Sequence, residues 1–244
     1  MPRRAVPSDL AGGAKNVTGC LRIMTWNVHG TFNLNPKFDL DGVCSLIRHW
    51  SPDVVALQEV DSRGRSDDPF MRLAEAVGDH RIDARSIVTK DGDYGQALFS
   101  RWPFAEPPEV VDVSYQEREP RRAIAARILS DVAGEVRVVA THLGLSIHER
   151  HAQAHALVDL VQPTRTFVVG DFNDWFWVRS VRGVLAQTCP VRTRLRTFPA
   201  LFPLMRLDRI YVSRDGVIRS AWTDRKARLY SDHLPVMADV VFPE

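Results

Sequence analysis

The chain is poor in cysteine: Cys20, Cys44 and Cys189 are odd in number and far apart. That pattern excludes a disulfide framework and a CxxC metal site, and it fits a reducing compartment. No apolar run approaches the ~18 residues of a membrane span. The first twenty residues hold Arg3 and Arg4 but no apolar core segment, so they do not read as a secretory signal. They read as a flexible leader, residues 1–20, ahead of a single domain over 21–244. No internal repeat and no low-complexity linker interrupts that domain. Together these absences lead us to expect a cytoplasmic protein without a transmembrane segment, and a monomer.

What is present is ordinary for a globular protein. The 244 residues are 45% hydrophobic and 25% charged, with a mean hydropathy of -0.18. A chain of this size buries roughly 70–75% of its unfolded surface and needs no covalent staples. The net charge of +2 is unevenly spread. Between Arg179 and Arg228 twelve basic residues face only Asp208, Asp215 and Asp224, a net +9 that leaves the remainder at −7. A basic third on an acidic protein suggests an anionic partner, nucleic acid or a lipid headgroup. An arginine-rich coding bias gives the same count, so charge alone does not choose.

Short β-branched apolar runs alternate with longer amphipathic stretches. The pattern predicts strands at Leu21–Asn27, Val54–Glu59, Ala97–Ser100, Ala123–Leu129, Glu135–His142, Thr166–Gly170, Leu207–Val212 and Val236–Phe242. Helices are predicted at Asp39–Trp50, Asp68–Val77, Ile147–Val161 and Phe176–Leu185. Interleaved in this way, they describe a mixed α/β domain.

The informative polar residues stand at strand ends, where loops carry function on a rigid sheet. They are Trp26-Asn27-Val28-His29-Gly30, Gln58-Glu59, Thr141-His142-Leu143, Gly170-Asp171-Phe172-Asn173, Leu207-Asp208-Arg209-Ile210 and Ser231-Asp232-His233-Leu234-Pro235. Carboxylates and an amide oxygen suit Mg²⁺ or Mn²⁺, which prefer oxygen ligands. Histidines beside carboxylates suit acid–base work. The set reads as one for metal-assisted hydrolysis of a phosphate ester.

In this order and over Arg22 to Pro235, the blocks WN, QE, THL, GDFN, LDRI and SDHLP resemble the endonuclease/exonuclease/phosphatase superfamily. Gly95-Gln96-Ala97-Leu98-Phe99-Ser100-Arg101 and Arg118-Glu119-Pro120 agree with it. The resemblance implies a four-layer α/β sandwich with two central mixed β-sheets, of the deoxyribonuclease I kind, and a site at one end. It implies Glu59 as main metal ligand with Asn27 and Asp232 beside it. Asn173 would donate to the scissile phosphate and Asp171 would position or deprotonate water. Asp208 would pair with His233, and His142 would face the phosphate from the other side. Either Asp171 or His233 takes the proton: Asp208 favours a charged imidazole, which stabilises the transition state but cannot act as base. Arg118 is a candidate phosphate contact or, equally, a surface residue.

Departures from the family pattern narrow the substrate. Abasic endonucleases usually carry Asp at the position of His29, Lys near Val60-Asp61, and Trp before the RLD block, where Leu204 and Met205 stand here. Abasic-site specificity is therefore not expected. Gly95 occupies the position of an acid that supports the first histidine in deoxyribonuclease I, leaving Asp91 or Asp93 as the expected partner of His142. His148-Glu149-Arg150-His151 spaces its histidines i, i+3 where a zincin motif needs i, i+4, and His148, His151 and His155 read as a solvated helix flank. Trp175, Phe176 and Trp177 either stack on a substrate or pack under their loop. Arg192, Arg194 and Arg196 alternate as a phosphate-facing ridge or as a solvated edge.

The expected activity is a metal-dependent phosphodiester hydrolase, with nucleic acid as first substrate. A phospholipid or a phosphorylated headgroup is the alternative. A catalytically dead anion- or partner-binding module is a third reading, opposed by the full set of reactive residues.

Overall fold

The computed structural model describes residues 19–30, 39–78, 80–175 and 181–243. The strands are β1 (Leu21–Asn27), β2 (Val54–Asp61), β3 (His80–Thr89), β4 (Gly92–Ser100), β5 (Glu109–Asp112), β6 (Arg122–Ser130), β7 (Gly134–His142), β8 (Thr166–Asp171), β9 (Val191–Arg192), β10 (Asp208–Val212), β11 (Val217–Trp222) and β12 (Val236–Val241). The helices are α1 (Leu40–Trp50), α2 (Pro69–Val77), α3 (Ile147–Val158) and α4 (Val181–Leu185). The expected leader lies outside the described residues except for Gly19 and Cys20, as do residues 176–180 at the start of the fourth predicted helix.

Two six-stranded mixed sheets result, ordered β11-β12-β1-β2-β4-β3 and β5-β6-β7-β8-β10-β9. In each, one central pair is parallel, β1 with β2 and β7 with β8, and the other pairs are antiparallel. Period-2 alternation sends Leu21 and Ile23 of β1, Val138 and Ala140 of β7, Phe167 and Val169 of β8, and Ile210 and Val212 of β10 into one core between the sheets. The opposite faces are covered by helices. Met24, Trp26 and Leu57 pack against α1 and α2, while Val139, Val168 and Tyr211 pack against α3 and α4. This is the expected four-layer α/β sandwich.

Helix starts follow from local chemistry. The Asp39 carboxylate accepts from the Gly42 N–H at 2.9 Å, and Asp68 accepts from Phe70 at 2.9 Å just before Pro69. Ser146 and Glu149 form a capping box at α3. That helix ends at Val158, three residues before the predicted end, because the chain beyond tightens into turns at Leu160 and Val161. The four strands not predicted, β3, β5, β9 and β11, are the four sheet edges. Edge strands carry exposed charge and weak apolar runs, as in His80–Thr89 with its two Arg and one Asp.

The core positions the site. The apolar inner rows of β1, β7 and β8 end in Asn27, His142 and Asp171, all at one end of the sandwich. Because β10 runs antiparallel to β8, its first residue, Asp208, arrives at the same end opposite Asp171. Antiparallel β12 brings the residues just before Val236 there as well.

Candidate active site

Glu59 needs more than alternation to join this group. Simple period-2 order would send it to the helical face of β2. The pairing shifts instead: Leu57 stands opposite Ala97 and Val60 opposite Gly95, so Gln58 and Glu59 together face only Gln96. This bulge, with Glu59 at φ 56, turns its carboxylate to the Asn27 amide at 2.9 Å. Gly30 completes the bend. Its N–H donates to the Glu59 carbonyl at 2.9 Å, and a Cβ there would lie 2.7 Å from that oxygen. His29 and Asn173 also have left-handed φ, so unusual backbone gathers at this end of the sandwich.

Asp171, 1% exposed, is the hub. Its Oδ2 accepts from Asn27 Nδ2 at 3.1 Å and lies 3.8 Å from Nε2 of both His142 and His233. Its Oδ1 accepts from the Asn173 N–H at 3.0 Å. The Asn173 amide donates to the Leu143 carbonyl at 2.9 Å and sits 3.5 Å from His142 Nε2. The Asp171–Asn173 turn is thus held against the end of β7.

The two histidines have opposite electrostatics. His233 Nδ1 lies 2.8 Å from Asp208 Oδ2. Burial opposes its charge, but the carboxylates of Asp208 and Asp171 outweigh that and push its pKa up to about 10. His142 is pushed down to about 3, first by burial and then by the Arg121 guanidinium. Arg121 Nη1 stands 3.4 Å from His142 Nδ1. A guanidinium only donates, so the Nδ1 lone pair faces it and the proton sits on Nε2, on the Asp171 side. Trp26 Nε1 donates to the His233 carbonyl at 3.0 Å, the Ser231 hydroxyl to the Asn27 carbonyl at 2.7 Å, and Phe198 packs on the His233 ring. These contacts fasten the SDHLP loop to β1.

The expected metal ligands converge around His29. Its Nδ1 is 3.5 Å from Glu59 Oε2 and 3.5 Å from Asp232 Oδ1, with Asn27 bonded to Glu59. Burial pushes the Glu59 carboxyl up, against the pull of Asn27 and His29. One amide and two carboxylates, one of them hard to ionise when alone, fit a hard divalent cation. A second acidic group, Asp171, Asp208 and His233, has ligand atoms within 4.8 Å of one another. There the Asp208–His233 pair already engages one ring nitrogen.

The expected partners of His142 are corrected. Asp91 is bonded by the Thr89 hydroxyl at 2.7 Å and Asp93 pairs with Arg85, both in the β3–β4 hairpin. Arg121 takes the place beside His142 and is itself tied to Glu119 at 3.0 Å. Sequence reading passed over Arg121 although it directly follows the Arg118-Glu119-Pro120 block. Arg118 is exposed on the rim of a cleft that it shares with Arg121, Gly144 and Leu145. His29, which stands in the Trp26–Gly30 block and departs from the abasic-endonuclease pattern, touches both acids. His148, His151 and His155 are exposed on α3, as expected of a solvated flank. Trp175 is partly exposed with Arg150 over its ring at 5.7 Å, and Phe176 and Trp177 lie outside the described residues.

Comparison with known proteins bears on the family and the fold. Residues 24–233 match the Endonuclease/Exonuclease/phosphatase family. The chain is 32% identical over 242 residues to uncharacterized protein YbhP of Escherichia coli (strain K12), covering 90% of this chain and 95% of that one. Its fold is similar to an endonuclease/exonuclease/phosphatase from Beutenbergia cavernae DSM 12333, with TM-score 0.74, 22% identity, and 91% and 72% of the two chains covered. It is also similar to D. rerio TDP2 complexed with single strand DNA product, with TM-score 0.63, 19% identity, and 91% and 98% covered. The chain belongs to the endonuclease/exonuclease/phosphatase family, whose members hydrolyse phosphodiester bonds, typically with a divalent metal ion.

Proposed function

We propose that this protein is a metal-dependent phosphodiesterase that cleaves a P–O bond of nucleic acid with an activated water. The observation that carries the reading is Asp171 set between two histidines of opposite protonation, His142 neutral and His233 charged. In this reading Asp171 accepts the proton of the attacking water. Its Oδ2 lies 3.8 Å from Nε2 of both rings, and His233 already holds its proton. The His233 imidazolium stabilises charge that develops on the phosphoryl oxygens. His142 Nε2–H and the Asn173 amide donate from the other side, to a phosphate oxygen or to the leaving group. Asn27, Glu59 and Asp232 would hold Mg²⁺ or Mn²⁺, which supplies Lewis-acid polarisation of the phosphate.

Nucleic acid is supported by the net +9 segment between Arg179 and Arg228, and by the strand product bound to the structurally similar TDP2. Phospholipid is the second reading. It is favoured by one observation, the exposed Leu201 (74%), Phe202 (70%) and Leu204 (56%), on the loop that follows Phe198. The test is nicking of supercoiled plasmid in Mg²⁺, with EDTA and His233→Ala as controls. Metal-dependent nicking lost in the variant supports the proposal. Intact plasmid alongside turnover of phospholipid vesicles moves the substrate to lipid, and no turnover of any phosphodiester leaves a binding module.

A further inference from the structure

Five arginines converge outside the group of residues around Asp171. Arg182 comes from α4, Arg192 from β9, Arg194 from the extended segment beyond it, Arg206 from the approach to β10, and Arg209 from β10 itself. With Thr193 they line a cavity of about 210 Å³. Alternation explains the placement: Asp208 turns toward His233, so its neighbour Arg209 turns to the helical face of the sheet.

The local charge does not balance. Among the described residues the single acid in contact is Asp174, buried, with Oδ2 at 3.3 Å from both Arg209 Nη1 and Arg182 Nε. Arg209 Nη2 also donates to the Asp174 carbonyl at 2.9 Å, which fixes this guanidinium as a buried anchor. Arg192, Arg194 and Arg206 have no acidic partner among the described residues. Burial and the like charges of Arg194, Arg209 and Arg182 lower the pKa of Arg192, so the cluster is repulsive as it stands. Segments from four parts of the chain hold it together regardless.

We propose that this cavity is a phosphate-binding site separate from the hydrolytic residues, in which Arg192, Arg194 and Arg206 grip the anion and Arg209–Asp174 set the floor. Guanidinium forks match phosphate oxygens in pairs, and the space is large enough for a phosphate or pyrophosphate. The inference does not depend on the phosphodiesterase reading. It concerns different side chains and a binding event without chemistry.

The test uses inorganic pyrophosphate as probe in EDTA, by calorimetric titration of the full chain. Wild type is expected to bind one equivalent. Arg194→Ala/Arg206→Ala should weaken binding at least tenfold, and Arg194→Lys/Arg206→Lys should restore part of it. Both alanine positions are exposed, and a matching thermal melt checks the fold. His142→Ala/Asn173→Ala should bind as wild type does. Absence of saturable binding, or binding lost in His142→Ala/Asn173→Ala and kept in Arg194→Ala/Arg206→Ala, overturns the proposal. Competition then identifies the source of the phosphate. Displacement by a 5′-phosphorylated but not an unphosphorylated oligonucleotide assigns it to a strand end. Displacement by phosphatidic acid vesicles but not phosphatidylcholine vesicles assigns it to a headgroup. Displacement by neither leaves the free anion as ligand.

Discussion

Asp208 stands directly across from Asp171 in the β8–β10 register, and both carboxylates are buried. Two acids so placed repel unless a cation lies between them. His233 supplies it, bonded to Asp208 at 2.8 Å and 3.8 Å from Asp171. One register pair therefore accounts for the charge on His233.

Replacing Asp208 with Asn is expected to lower the pKa of His233 from about 10 toward ordinary histidine values, because its bonded carboxylate is gone. Imidazole NMR titration of wild type and variant reads this directly. His233→Ala should reduce kcat by ~10²–10⁴, and Asn173→Ala by ~10²–10³, the usual range for a lost donor to a developing anion. A kcat unchanged in both would remove these residues from the reaction.

Stability should fall on both sides of neutrality for identifiable reasons. His142 has a folded pKa near 3 against 6.5 unfolded, so the unfolded chain binds more protons in that window and stability drops as pH falls from 6.5 to about 3. His233, raised to about 10, works the other way, and its contribution is lost as pH rises from 6.5 to about 10. Urea denaturation across pH checks this: His142→Asn should flatten the acid limb and His233→Asn the alkaline limb.

Metal binding should show in stability without any substrate. A cation held at 100 times its Kd adds ~2.7 kcal/mol to the folded state. Thermal melts in Mg²⁺ against EDTA should show the gain in wild type and little of it in Glu59→Gln. An equal gain in the variant would place the ion elsewhere, with the Asp171–Asp208–His233 group the next candidate.

Gly170 has φ 147, and a Cβ there would lie 1.9 Å from the Thr141 carbonyl oxygen. Gly170→Ala should force β8 away from β7 at the point where Asp171 and His142 stand side by side. We expect destabilisation of more than ~2 kcal/mol. Activity should fall further than the folded fraction alone, as measured by specific activity after correction for unfolding.

If the substrate is nucleic acid, affinity should fall linearly in log[salt], with a slope of ~0.9 per phosphate neutralised on a duplex. Binding that ignores salt but requires vesicles would favour the lipid reading.

Much of this architecture was legible from residue order. The central strands announce themselves as apolar runs because both their faces are covered, and the polar residue closing each run marks the end where the site lies. Edge strands β3, β5, β9 and β11 gave no such signal, since a strand open on one rim tolerates charge and short length. The contact between Arg121 and His142 was hidden for another reason: it joins residues 21 positions apart, one just before β6 and one at the end of β7, and nothing local to either implies it.

By itself the sequence determined the mixed α/β class, through periodicity, and the family, through short motifs in order, whose resemblance implied the sandwich of two mixed sheets. Tertiary structure alone decided which groups are charged. The neutrality of His142, the charge of His233 and the convergence of five arginines around one cavity depend on burial and on neighbours from distant segments. Electrostatic energy follows distance in space, and chain order does not report it.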